Sequence, residues 1–177
     1  MKLVGDSEIQ AFILAGGLSS RMGEDKSALK LDGRTLLEIA EAKVAELGLT
    51  GSVICEDIVP RCGPLGGMIT GLDQCSSGRL LFLPCDMPFI SADYLRRFCA
   101  QERACADQDG LAGFPMIIPK SVDRQVRQLY SDGEFSLQKL VRKLDLVRIP
   151  SSNAELELFN VNTPEDFEHA QRIIAGE

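Results

Sequence analysis

The sequence predicts a single three-layer α/β domain over residues 1–177, with a mainly parallel sheet and an antiparallel excursion in its second half. Three observations lead there. Residues 11–14 and 80–83 are continuously apolar, as strands covered on both faces are, and do not alternate. Amphipathic helical stretches separate these runs, giving strand, helix, strand, helix, strand, the pattern of parallel strands joined by crossovers. The strands also end abruptly, at Gly16-Gly17, at Glu56-Asp57 and at Cys85-Asp86. Ligands of open parallel sheets bind outside such carboxyl ends.

Taken in order, Met1 to Glu8 is polar and unpatterned, and Ile9 to Leu14 reads as a central strand. The loop that follows, Gly-Gly-x3-Arg-Met-Gly-x2-Lys, carries Arg21 and Lys26. Glycines there let backbone N–H groups approach phosphate oxygens without Cβ interference. The loop is neither a Walker loop nor a Gly-x-Gly-x-x-Gly dinucleotide loop. Asp32-Gly33 marks a turn, and Thr35 with Glu38 forms a capping box. The helix it opens puts Leu36, Ala40, Val44 and Leu47 on one stripe and stops at Gly48. Ser52 to Cys55 is a short strand, and Pro64 opens a helix running to about Gln74.

Leu80 to Leu83 is the next strand, and Ser91 caps a helix with Tyr94, Leu95, Phe98 and Cys99 inward. Two apolar runs follow, Leu111 to Phe114 and Met116 to Ile118, separated by Pro115. Helices are expected near Val122–Tyr130 and Leu137–Leu144, and final strands at Leu146–Ile149 and Leu156–Phe159. Thr163-Pro164 with Asp166 starts a closing helix.

Composition narrows the function classes. A net charge of −7 argues against nucleic acid or an anionic membrane surface as partner. No apolar run nears the ~20 residues of a membrane span, and the N-terminus lacks a signal-peptide core. The six cysteines, at 55, 62, 75, 85, 99 and 105, form no Cys-x-x-Cys pair and fit reduced thiols in a cytoplasm. An anionic substrate then requires a local basic loop, which Arg21, Lys26 and Lys30 supply. A carboxylate at a strand end, Asp86 above all, is a natural magnesium ligand beside a phosphate site. Ser19 and Ser20 read as loop donors, and His169, the single histidine, as a surface residue of the closing helix.

The motifs Leu14-Ala15-Gly16-Gly17, Arg21-Met22-Gly23, Lys26, Gly63-Pro64-Leu65-Gly66-Gly67, Pro84-Cys85-Asp86-Met87-Pro88 and Asn160-Val161-Asn162-Thr163-Pro164 occur in one order along most of the chain. In that order they resemble the molybdenum cofactor guanylyltransferases, nucleotidyltransferases with a Rossmann-like fold. The resemblance implies transfer of GMP from GTP to the molybdopterin cofactor, with release of pyrophosphate. It implies nucleotide contacts from Leu14, Ala15, Gly16, Gly17, Lys26, Asp57 and Asp86. Asp86 is the implied Mg2+ ligand, Asn160 and Asn162 face the second substrate, and Arg21, Lys26 and Asp86 are the catalytic set. GTP and molybdopterin are then the partners, together with transient contacts to cofactor-synthesis or molybdoenzyme proteins. Gly113-Phe114-Pro115 falls where the family has substrate-side residues.

One departure stands out. Only Leu49-Thr50-Gly51 separates Gly48 from the strand at Ser52, where the family has a strand and a short helix, including a base-contacting asparagine. Two other readings stay open: a related transferase using CTP or a sugar phosphate, and a catalytically silent nucleotide-binding protein. Retention of Lys26 and Asp86 speaks against the silent binder.

Overall fold

The computed structural model describes residues 8–15, 26–55 and 63–176, the side chain of Lys26 excepted. Its central strand β1 (Ile9–Leu14) pairs in parallel on both edges, with β4 (Thr50–Ile54) on one side and β5 (Arg79–Pro84) on the other. Beyond β5 come β7 (Leu111–Pro119), β6 (Ala104–Gln108) and β8 (Val147–Pro150), so the sheet runs β4-β1-β5-β7-β6-β8. Only β7 runs against the others, pairing antiparallel with both β5 and β6. This is the mainly parallel sheet with one antiparallel excursion that the sequence predicts.

Helices cover both faces. On one, Phe12, Leu80, Phe82, Met116 and Ile118 pack beneath α2 (Pro64–Gln74), α4 (Asp123–Ser131) and α5 (Leu137–Leu144). On the other, Ala11, Ile13, Leu81, Leu83 and Ile117 meet α1 (Leu36–Glu46) and α3 (Ala92–Cys99). Two covered faces are the reason why β1 and β5 carry no alternation. A third cluster, Leu31, Leu36, Ile39, Val161 and Ala170, ties the small β2–β3 hairpin (Lys30–Leu31, Arg34–Thr35) to α1 and to the closing helix α7 (Pro164–Ala175).

Local chemistry sets the helix ends. Thr35 accepts from the Glu38 amide, and the Glu38 carboxylate accepts from the Thr35 amide. That backbone hydrogen bond holds the Glu38 carboxyl below its ordinary range. Thr163 and Asp166 close α7 in the same way. At the Asp32-Gly33 turn both residues have positive φ, +50° and +77°, the two-residue geometry that suits a tight hairpin. Tyr94 of α3 donates its hydroxyl to the Ile149 carbonyl at 2.6 Å, tying α3 to β8, and burial raises its phenol above the usual value.

Three expectations need correction. Ala104–Gln108 is a strand that the sequence reading missed. It has no branched or aromatic residue and forms because β7 and β8 pair with its two edges. The runs either side of Pro115 are one strand. Between the Cys105–Met116 and Ala106–Gly113 pairs the register shifts, and this bulge absorbs Phe114 and Pro115, where proline has no N–H for the ladder. Leu156–Phe159 is not a strand. It spans the end of a one-turn helix, α6 (Ala154–Glu157), and the turn after it, with the Leu156 and Glu157 amides donating to the Asn153 carbonyl.

The short α1–β4 connection leaves β4 as the outermost strand on its side, paired only with β1 among the described residues. That is the geometry expected of a sheet lacking one strand–helix unit.

Gly71 of α2 lies against the stacked pair Phe12–Phe82. A Cβ there would sit 2.6 Å from Phe82 Cε1 and 3.4 Å from Phe12 Cγ. Both rings are fully buried. Gly71→Ala is expected to destabilise the protein by about 1–2 kcal/mol in urea unfolding, since over-packing outweighs alanine's helix advantage of about 1 kcal/mol. A stabilised variant would contradict this packing.

None of the five described cysteines forms a disulfide. Burial pushes the Cys105 thiol up to about 11 and raises that of Cys99, so both stay protonated near pH 8. Cys55 is exposed. Iodoacetamide at pH 8 should therefore modify Cys55 well before Cys99 or Cys105, as mapped by peptide mass spectrometry. Equal labelling of Cys105 would refute its burial.

Candidate active site

The two crossovers from β1 and β4 leave on opposite faces, since α1 packs on one side of the sheet and α2 on the other. Where crossovers diverge in this way, the carboxyl ends of the strands are the usual ligand position. Hydrogen bonding continues one step past the strands and holds these ends level. The Ala15 amide donates to the Ile54 carbonyl at 2.9 Å, and the Cys85 amide to the Leu14 carbonyl at 3.1 Å. Leu14 and Ala15, Cys55, and Cys85-Asp86 are thereby brought to one end of the sheet.

Asp86 sits in a turn directly after β5, with the Oδ1 atom of its carboxylate buried. Its own carbonyl accepts from the Val161 amide at 2.8 Å. This bond joins positions 75 residues apart and sets Asn160 and Asn162 on either side of the contact. Val161 is fully buried in the cluster beneath α7, which anchors the strip from below. Upstream, Phe159 lies between Phe89 and His169, with ring centroids 6.1 and 5.4 Å away. Downstream, the Asp166 carboxylate accepts from the Asn162 and Thr163 amides at 2.9 and 2.8 Å. The Asn160 side chain donates Nδ2 to the Leu158 carbonyl at 2.8 Å.

The side chains carried on the two sides of this backbone contact have oxygen donors: the Asp86 carboxylate and the carboxamides of Asn160 and Asn162. Hard oxygen donors suit magnesium, which binds through one or two carboxylates and completes its shell with water and substrate phosphate. Among the described residues there is no cluster of three His, Cys, Asp or Glu, so a metal cage made only of such protein ligands is absent there. Gly16, Gly17, Ser19, Ser20, Arg21 and Asp57, together with the Lys26 side chain, lie outside the described residues; their loops leave from Ala15 and Cys55 at this same end. His169 is exposed on α7 and packs its ring edge against Phe159, a structural contact as expected. Gly113 and Phe114 reach this end of the sheet because β7 is reversed, so its first residues lie beside the carboxyl ends of its neighbours.

Sequence reasoning missed one group of side chains around the strip. Glu157 accepts hydrogen bonds from the hydroxyls of Ser91 and Ser151, residues 66 and 6 positions away in sequence. No local pattern marks Glu157, although Ser91 was legible as a helix cap.

Comparison with known proteins matches residues 11–148 to the MobA-like NTP transferase domain. A molybdenum cofactor guanylyltransferase of Xanthomonas euvesicatoria is 32% identical over 170 residues, covering 88% of this chain and 90% of that protein. Among solved structures, molybdopterin-guanine dinucleotide biosynthesis protein A of Archaeoglobus fulgidus superposes with a TM-score of 0.71 at 18% identity, covering 95% of this chain and 100% of that one. A Mycobacterium tuberculosis H37Rv protein, described in complex with manganese, superposes with a TM-score of 0.64 at 17% identity, covering 93% and 98%. At these identities the two structures establish the fold.

Proposed function

The chain belongs to the MobA-like NTP transferase family and is a nucleotidyltransferase, and on that premise we propose that it transfers GMP from GTP to the phosphate of molybdopterin cofactor. The observation that supports this reading is the hydrogen bond from the Val161 amide to the Asp86 main-chain carbonyl, which brings the 160–162 strip to the turn that carries Asp86. An acceptor phosphate oxygen attacks the α-phosphorus of GTP. The new P–O bond forms as the bond to the bridging oxygen breaks, and pyrophosphate leaves with the electron pair. The acceptor phosphate is already anionic, so no general base is required, and positioning and charge neutralisation supply most of the rate.

Leu14, Ala15, Gly16 and Gly17 bind the nucleotide through backbone atoms, Gly16 and Gly17 being able to do so at close range. Arg21 and Lys26 offset triphosphate charge as it shifts to the leaving group. Asp86 would hold Mg2+, with Asn160 and Asn162 next to it toward the acceptor. The ion would supply charge neutralisation at the phosphate oxygens. Asp57 accepts from the ring N–H and exocyclic amine of guanine. Among the described residues no helix is long and apolar enough to cross a membrane, and the described thiols are not in disulfides, which fits work in a reducing cytoplasm.

Calorimetry with GTP and magnesium should show binding by the wild type and none by Gly16→Val, whose side chain blocks the approach of the loop backbone. With molybdopterin as acceptor, Lys26→Ala should lower turnover by on the order of 10²–10³, the scale for one electrostatic donor. Asp86→Asn should weaken the magnesium dependence without unfolding the protein. Unchanged turnover in both variants would remove these residues from the mechanism. GTP binding without pyrophosphate release in the wild type would favour a silent binder.

Base choice gives a separate test. A buried polar group left unpaired by the wrong base costs about 1–3 kcal/mol, or roughly 5- to 150-fold in affinity. With β4 at the sheet edge, one such group from the lacking strand–helix unit is gone. GTP should remain preferred over ATP and CTP, by less than in relatives that keep the unit, and Asp57→Ala should abolish the preference. Best binding of CTP, or an intact preference in Asp57→Ala, would overturn the assignment of Asp57.

A further inference from the structure

Glu157 ends α6, and only Leu158 and Phe159 separate it from Asn160. Its carboxylate Oε1 accepts from the Ser91 hydroxyl and Oε2 from the Ser151 hydroxyl. These two serines belong to different parts of the fold. Ser91 is the N-cap of α3, where its Oγ accepts from the Tyr94 amide at 3.1 Å. Ser151 directly follows β8, and its Oγ accepts from the Asn153 amide at 2.9 Å, bracing the turn that enters α6. Each hydroxyl therefore receives from a backbone amide and donates to Glu157. Hydrogen bonds to an ionised acceptor are about twice as strong as neutral ones.

We propose that Glu157 is a positioning residue, which locks the turn delivering Asn160 and Asn162 beside Asp86. The inference rests on the nucleotidyl-transfer reading for its effect on activity, but not for its effect on the backbone. Downstream of the strip, Asp166 holds the Asn162 and Thr163 amides. Upstream, no carboxylate but Glu157 does the equivalent among the described residues, and it fixes the strip to α3 and to the exit of β8 together. Between the two clamps run the Asn160–Leu158 and Val161–Asp86 hydrogen bonds, both 2.8 Å. Loss of the upstream clamp frees the strip to swing about its Asp166 end. Asn160, nearest the lost clamp, moves most.

The test compares wild type, Glu157→Ala and Glu157→Gln, with Glu155→Ala as a control at an exposed position on the same turn. Four quantities are read: unfolding temperature, GTP affinity, steady-state kinetics with molybdopterin, and amide hydrogen exchange over residues 158–162. In Glu157→Ala, exchange at Val161 should quicken, and kcat/KM for the acceptor should fall by about 10- to 100-fold, the range for partners that orient a ligand. GTP affinity should stay within about twofold, since the hydrogen bonds that hold Glu157 run to Ser91 and Ser151. Glu157→Gln, with the same shape and one accepting oxygen, should recover most of the acceptor kinetics, and Glu155→Ala should match the wild type. Unchanged exchange at Val161 in Glu157→Ala overturns the proposal, as does an equal loss for GTP and acceptor. If the wild type itself releases no pyrophosphate with this acceptor, the transfer reading falls, and hydrogen exchange alone decides for or against the clamp.

Discussion

Pairing on both edges of β1 is the constraint from which the site follows. A strand hydrogen-bonded in parallel to β4 and β5 cannot slide, because a one-residue slip would turn Phe12 out of one covered face and Ile13 out of the other. Register fixed in this way keeps the three carboxyl ends level. The bonds from Ala15 to Ile54 and from Cys85 to Leu14 extend the level end one residue further, to the point where the glycine loop and the Asp86 turn begin. Exit of α1 and α2 on opposite faces then leaves these ends as the usual ligand position of such a sheet.

The second half of the chain serves that end of the sheet from a distance. Strands β6, β7 and β8 extend the sheet, and the chain after β8 returns as α6, the Asn160–Asn162 strip and α7. The return needs anchorage, since the strip belongs to no strand. It is supplied by one backbone hydrogen bond to Asp86, by Val161 in the cluster under α7, and by the Phe89–Phe159–His169 stack. Carboxylates close both ends, Glu157 on two hydroxyls and Asp166 on two amides. An acidic chain of net charge −7 thus uses some of its carboxylates to hold its own fold. Against such a background, any anionic ligand requires local positive charge.

Sequence by itself determined the local units. Continuous apolar runs specified β1 and β5 because a strand covered on both faces has no solvent side to mark. The Thr35–Glu38 and Thr163–Asp166 boxes specified two helix starts because capping is settled within four residues. Abrupt strand endings pointed to the carboxyl end of the sheet and to Asp86, and the resemblance of the ordered motifs implied Asn160 and Asn162. Tertiary structure decided what depends on partners remote in sequence. Strand β6 exists because two edges pair with it, not because ACADQ favours a strand. The 156–159 run turns into a helix end because Asn153 and the two serines bind it there. Contact between Asp86 and Val161, and the clamp at Glu157, could not be read from sequence. A hydrogen bond between residues 75 or 66 positions apart leaves no periodicity, and only the folded sheet brings its two halves within reach.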